Sequence, residues 1–291
     1  MKRHDIHIRD PFILPYGGKY YLFGSGIPDQ VDASNAQQFW CYESQDLENW
    51  SQPVCCFDPP ADFWGTRDFW APEVHHYNGK FYLLGSFISD KRDRATQALV
   101  ADRPEGPYRA FGQPLTPESW RCLDGTLYVE NGKPYLVFCH EWVQVGDGEI
   151  AVVALKEDLS AADGEPTVLF KAGQSGWAQE IGSPELHGYV TDGPFLVQED
   201  GVLTMFWSSF VDRQYAVGMA ISESGSVFGP WKHSEKLLFE KNGGHGMMFR
   251  GYDGKRYFTL HAPNDGPLER PHFFQVEKVD GQYHIKKEQS K

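Results

Sequence analysis

Short apolar runs separated by glycine-bearing turns recur along the whole chain. In "IRDPFILPYGGKYYLFGSG" (8–26) a polar residue beside proline opens an apolar run, a Gly-Gly-Lys turn follows, and an aromatic run ends in Gly-Ser. The layout returns in "APEVHHYNGKFYLLGSF" (71–87), "LDGTLYVENGKPYLVFCH" (123–140), "TDGPFLVQEDGVLTMFWSSF" (191–210) and "GHGMMFRGYDGKRYFTLH" (244–261). Three of these later turns are Asn-Gly-Lys, Asn-Gly-Lys and Asp-Gly-Lys, built on the dipeptides that tight hairpins select. A third strand-like run follows each hairpin: "QFWCYES" (38–44), "QALVAD" (97–102), "EIAVVAL" (149–155), "YAVGMAIS" (215–222) and "HFFQVEK" (272–278). A turn and a short fourth run often come next, as in "SESGSVFGPWKHSEKLLF" (222–239). Helical periodicity is nearly absent. Five four-stranded meanders in series predict an all-β fold, a five-bladed β-propeller, with residues 1–291 as a single domain. A sandwich of hairpins would not require five similar openings.

The inner strands of a propeller start near one end of its central channel. The polar residues that open the five hairpins, Asp10, Glu73, Asp124, Asp192 and His245, are therefore expected around one axis. Acids held close together disfavour joint ionisation, so one can stay protonated while another stays charged. Hydrolysis of a glycosidic bond needs such a pair. Inverting enzymes hold the two carboxyls roughly 6.5–9.5 Å apart and retaining ones about 5–5.5 Å apart, and opposite walls of a channel suit the wider spacing.

Composition narrows the partners. Aromatic residues reach 15%, which fits both pleated sheets and stacking on sugars. The net charge of −13 argues against nucleic acid, and no Lys/Arg tract offsets it. No apolar run is long enough to span a bilayer, and "MKRHDIHIRDPF" lacks an apolar signal core, so a cytoplasmic address without membrane contact is expected. Such an address favours small oligosaccharides over polymers. Cys41, Cys55, Cys56, Cys122 and Cys139 are odd in number and form no C-x-x-C spacing, which points to reduced thiols and away from zinc. Nothing in these patterns encodes an oligomeric state.

At "RDPFI" (9–13), "WAPEV" (70–74), "LDGTLY" (123–128) and "GGHGMMF" (243–249) the chain resembles glycoside hydrolase family 43, inverting five-bladed propeller enzymes that act on arabinosides and xylosides. The resemblance runs over nearly the whole chain. It implies an α-L-arabinofuranosidase or β-xylosidase type of activity, with Asp10 as general base and Asp124 orienting the general acid and tuning its pKa. It also places the Trp-Ala-Pro-acid motif, with Trp70 and Glu73, beside the substrate pocket. The family's general-acid motif is Glu, a small residue and Pro, whereas "TDGPFL" (191–196) carries Asp192, one methylene shorter. Asp192 is the favoured general acid, with Glu180, Glu185 and Glu141 as alternatives. No cofactor is required. The resemblance implies a structural calcium ion in the channel held by His245 or its waters, and a His245 bonded to a blade carbonyl is the alternative.

Phe69, Trp70, Trp142 and Trp64 are the candidate sugar platform, and His140 and Glu141 candidate polar contacts. Arg270 is expected either to reach a sugar hydroxyl or to form an inter-blade salt bridge. Fructan- and sucrose-cleaving propellers carry Asn before the first Asp-Pro and a Glu-Cys acid motif, and neither occurs here. The remaining alternative is a non-catalytic carbohydrate-binding propeller, which would need neither a base nor a pKa tuner.

Overall fold

The computed structural model describes residues 1–26, 28 and 37–286. Five antiparallel four-stranded sheets follow one another in chain order. Blade 1 is β1 (Arg9–Tyr16), β2 (Lys19–Ser25), β3 (Phe39–Ser44) and β4 (Val54–Phe57). Blade 2 is β5 (Arg67–Tyr77), β6 (Lys80–Ile88), β7 (Ala95–Ala101) and β8 (Arg109–Ala110). Blade 3 is β9 (Cys122–Glu130), β10 (Lys133–His140), β11 (Glu149–Ala154) and β12 (Thr167–Lys171), with the single-turn helix α1 (Trp142–Val145) between β10 and β11. A two-stranded ladder, β13 (Ile181–Gly182) and β14 (His187–Gly188), precedes blade 4. Blade 4 is β15 (Asp192–Glu199), β16 (Val202–Val211), β17 (Gln214–Ser222) and β18 (Trp231–His233). Blade 5 is β19 (Gly244–Arg250), β20 (Arg256–Ala262), β21 (Arg270–Val279) and β22 (Gln282–Ile285). Each sheet is a meander, so the chain forms the expected five-bladed propeller.

Turn chemistry explains the hairpins. Asn78-Gly79, Asn131-Gly132 and Asp200-Gly201 all take positive φ at both residues (47° and 76°, 51° and 82°, 55° and 78°), the twist that suits adjoining strands. The Asp253-Gly254 turn is different: it lies in a wider loop closed by Gly251 N–H to Lys255 O at 2.9 Å, with Asp253 accepting the Lys255 amide. Apolar residues fill the layers between blades. One cluster joins blades 1 and 2 and includes Met247 and Phe249 of blade 5, and others lie between blades 2 and 3, 3 and 4, and 4 and 5. Outer strands are short, two residues in β8 and three in β18, which limits edge-to-edge pairing. All five cysteines are free thiols. No helix among the described residues is long and apolar enough to cross a membrane.

A five-fold irregularity positions the site. Every inner strand skips register near its start: Arg9 faces Ser25 but Phe12 faces Phe23, Trp70 faces Ser86 but Glu73 faces Leu84, and Leu123 faces Cys139 but Thr126 faces Val137. In blades 4 and 5, Asp192 faces Ser208 but Phe195 faces Phe206, and Gly244 faces His261 but Met247 faces Thr259. The residue after the first pair is left-handed in each blade: Asp10 (φ 53°), Ala71 (46°), Asp124 (56°), Gly193 (52°) and His245 (48°). Bulges of this kind bend a strand and re-aim its side chains.

The freed amides are satisfied by the preceding blade's second strand. Ala71, Asp124 and His245 donate to Ser25, Ser86 and Ser208 Oγ at 2.7, 2.9 and 2.9 Å, and Asp10 donates to His261 Nδ1 at 3.2 Å. Cys139 holds that position in blade 3, and there the Gly193 amide turns to Asp124 Oδ2 at 3.0 Å. The expected ring of strand-start residues thus needs two shifts of register. Glu73 lies two residues past the bulge position, which Ala71 fills, and Asp192 lies one residue before it.

Candidate active site

The bulges open onto a cavity of about 410 Å³ lined by Asp10, Asp124, Asp192 and His245 together with Arg9, Tyr215 and Glu269. Asp10 is buried. Its Oδ2 accepts the Ser25 hydroxyl at 2.6 Å, and its Oδ1 lies 3.2 Å from His245 Nδ1 and 3.6 Å from Arg9 Nε. Burial alone would raise its pKa, but His245, Arg9 and the Ser25 hydrogen bond together hold it below the ordinary carboxylate value. His261, fully buried, contributes as an acceptor: its Nδ1 takes the Asp10 amide, and burial followed by the Arg9 charge drops its pKa to about 3.

Asp192 has the opposite surroundings. Burial, then the neighbouring Asp124 carboxylate, pushes its pKa up to about 7, against the pull of His245, the Tyr215 hydrogen bond and Arg9. The Tyr215 hydroxyl reaches its Oδ2 at 2.9 Å. Asp124 lies between the two acids in the network, with Oδ2 3.5 Å from His245 Nδ1 and accepting the Gly193 amide. Burial and then the Asp10 charge raise its pKa well above the ordinary value. Gly193 explains why the blade 4 acid stands one residue early. A Cβ at the left-handed position would come 2.8 Å from the His245 ring, so the bulge itself admits no side chain there.

The walls divide the remaining candidates. Trp70, Glu141 and Trp142 line the cavity. Trp70 stacks on the Arg94 guanidinium at 3.8 Å from the ring centroid, and Arg94 also bonds Asp68 at 3.0 Å. Glu141 Oε2 lies 2.6 Å from Arg121 Nε and 3.6 Å from Arg94 Nε, which commits it to guanidinium partners. Glu180 and Glu185 are exposed and outside the cavity lining, although Ile181, next to Glu180, reaches it.

Five expected contacts lie elsewhere. Phe69 is fully buried among Phe39, Phe57, Phe63 and Phe87, because strand alternation turns it into the core where Trp70 turns outward. Its truncation to alanine is a core deletion, costing about 3–5 kcal/mol. Trp64 packs on Phe63 and Phe87 and donates to Gln97. Glu73 is buried outside the cavity lining and bonds His75 at 3.0 Å. His140 is held by Glu149 at 2.9 Å and Gln144 at 2.8 Å and stacks on Trp120. Arg270 binds the carbonyls of His4, Pro267 and Glu269 and the His7 ring, so it ties the N-terminal segment to blade 5.

Arg9, Tyr215 and Glu269 were not singled out from sequence. Arg9 is visible as the neighbour of Asp10 in "RDPFI". Tyr215 and Glu269 reach the site by folding alone, and no spacing marks them.

His245 Nδ1 is turned to Asp10 and Asp124, and among the described residues no group of three or more His, Cys, Asp or Glu is arranged to hold a metal. Calcium prefers six to eight oxygens, so an ion held by His245 would take most of its ligands from water.

Comparison with known proteins places this geometry in context. The model of "Glycosyl hydrolases family 43" matches residues 5–278. The chain is 27% identical over 257 residues to an extracellular exo-alpha-(1->5)-L-arabinofuranosidase of Streptomyces avermitilis, covering 84% of this chain and 50% of that protein. It spans about half the length of the first curated relatives it matches. Among solved structures, an endo-arabinase from Bacteroides thetaiotaomicron superposes with a TM-score of 0.90 at 39% identity, covering 97% of this chain and 98% of that one. An endo-1,4-beta-xylanase from the same organism superposes with a TM-score of 0.78 at 27% identity, covering 98% and 96%. With the family model spanning nearly the whole propeller, this chain belongs to glycosyl hydrolases family 43.

Proposed function

We propose that the protein hydrolyses arabinofuranosyl linkages, and xylosyl linkages less readily, in short oligosaccharides with inversion at the anomeric carbon. The observation that carries this reading is the opposite proton state of two acids facing one cavity: Asp10 held charged and Asp192 held protonated up to about pH 7. Asp10 takes a proton from a water while that water's oxygen bonds the anomeric carbon. Asp192 gives its proton to the departing glycosidic oxygen as the C–O bond breaks. Exchange with solvent then returns Asp10 to the charged form and Asp192 to the protonated one. Asp124 bonds the Gly193 amide next to the donor and, when charged, raises the donor's proton affinity. The preference for arabinose is supported by the names of the relatives, several of which are arabinofuranosidases or arabinanases.

Release of nitrophenol from aryl α-L-arabinofuranoside and aryl β-xyloside, assayed in parallel with and without Asp10→Asn, tests the reading. Faster arabinofuranoside cleavage, lost in the variant, is expected, and proton NMR of the first-formed sugar should show the inverted anomer. Sugar binding without release would overturn the assignment in favour of a lectin-like propeller.

A further inference from the structure

We infer that Arg9 and Glu269 form a paired recognition site for the 2-hydroxyl of the glycon, a role that rests on the hydrolase reading above. The two residues lie 260 positions apart and meet where blade 5 closes against blade 1, with Arg9 Nη1 donating to Glu269 Oε1 at 2.6 Å. Both line the cavity. Glu269 is buried, at 5% exposure, yet it sits on a tight turn whose backbone holds it in place, its amide bonding Gly266 O at 3.1 Å. The ion pair uses one atom from each group. Among the described residues, Arg9 Nη2 and Glu269 Oε2 have no hydrogen-bond partner. A guanidinium donor and a carboxyl oxygen are thus left without partners in residues that line the cavity, and burial pushes the Glu269 carboxyl up to about 7, so it serves best as an acceptor above that pH.

A hydroxyl is the group that uses both, since it accepts from a guanidinium while donating to a carboxylate. The position of Arg9 selects which hydroxyl. Its Nε lies 3.6 Å from Asp10 Oδ1, the carboxylate that faces the attacking water, so the same guanidinium borders the reacting carbon and the hydroxyl next to it. Hydrogen bonds to the 2-hydroxyl strengthen as the oxocarbenium ion develops, so the pair is expected to act more on kcat than on KM. His261, 4.0 Å from Glu269 through Nε2, is occupied by Asn264 at 3.2 Å and does not compete for the hydroxyl.

The test is a cycle of variant against substrate, using aryl arabinofuranoside and its 2-deoxy and 3-deoxy analogues on wild type, Glu269→Gln and Arg9→Lys. Removing the 2-hydroxyl also changes intrinsic reactivity, but that change is common to all three proteins and cancels in the ratio of their kcat/KM values. Loss of a hydrogen bond to a charged group is about 10–100-fold. The 2-deoxy penalty of the wild type, relative to that of Glu269→Gln, is expected in this range, with the 3-deoxy penalties equal. Arg9→Lys keeps a positive charge by Asp10 but loses the planar fork, and should show the same loss of discrimination. Equal 2-deoxy penalties in wild type and both folded variants would overturn the inference, as would a difference confined to the 3-deoxy substrate. If the wild type cleaves none of the three glycosides, the hydrolase reading fails. Calorimetric binding of arabinose and 2-deoxyarabinose to wild type and Glu269→Gln then still decides the recognition site, since an equal preference in both proteins would refute it.

Discussion

Blades 1 and 4 open on the same bulge and present their acids in different ways. In blade 1 the acid occupies the left-handed position itself, so Asp10 is surrounded by Arg9 from its own strand, Ser25 from the next and His245 from blade 5. In blade 4 glycine fills that position because the His245 ring leaves no room for a side chain. The acid moves back by one residue, where it meets Tyr215 and the field of Asp124. Asp124 fills the same left-handed position as Asp10 and is nevertheless raised well above the ordinary value, so the neighbours, more than the register, set the proton state. A repeated backbone can thus hold carboxyl groups in opposing surroundings through the side chains that neighbouring blades supply.

The largest test of this contrast removes the base. Asp10→Asn should lower kcat/KM by about 10⁴-fold for every glycoside, the upper end of what a positioned base contributes. A variant retaining a tenth of wild-type activity would place the base elsewhere. Asp192→Asn should cost about 10²–10³-fold on natural oligosaccharides and far less on dinitrophenyl glycosides, whose leaving groups depart without a proton. If oligosaccharide cleavage survives Asp192→Asn but is lost in Glu141→Gln or Glu180→Gln, the blade 4 acid has been misassigned.

Two milder variants should move the pH profile in opposite directions. In the proposed mechanism activity needs protonated Asp192, so the basic limb is expected near pH 7. Asp124→Asn removes the like charge that raises Asp192 and should shift that limb down by about one pH unit. Tyr215→Phe removes the hydrogen bond that lowers the Asp192 pKa, and should shift the limb slightly upward. Movement of both limbs in one direction would contradict the assignment of the two neighbours.

The smallest effect is on stability. The folded-state pKa of Asp192 is raised from 3.8 to about 7, so its proton-linked contribution is complete below pH 3.8 and is lost as pH rises through about 7. Asp192→Asn should therefore gain in Tm relative to wild type between pH 4 and pH 8. Equal Tm differences at the two pH values would mean that the carboxyl is not protonated by its surroundings.

Much of the propeller was legible because turn dipeptides are local. Asn78-Gly79 and Asn131-Gly132 mark their hairpins by residue type alone. The register of the ring was not, since the left-handed position accepts Asp, Ala, Gly and His alike, and residue type does not reveal φ. That is why Glu73 appears in sequence as the counterpart of Asp10 when Ala71 is the one in place. Phe69 differs from its expected place for a related reason: in "FW" both rings look equally available until strand alternation sends one inward. Arg9 and Glu269 illustrate the harder limit. Their pairing arises from closing the ring and has no signature within either segment.

Cys139, standing where three other blades carry serine, has a wider consequence. Because it leaves the Gly193 amide to Asp124, the inner strands of blades 3 and 4 are joined through the Asp124 side chain, and Asp192 sits one residue from that joint. Asp192 and Asp124 are therefore fixed to a common strut, whereas Trp142 and Ile181 reach the same cavity from a single-turn helix and a two-residue ladder strand. Substitutions on those rim segments are therefore expected to leave the spacing of Asp124 and Asp192 unchanged.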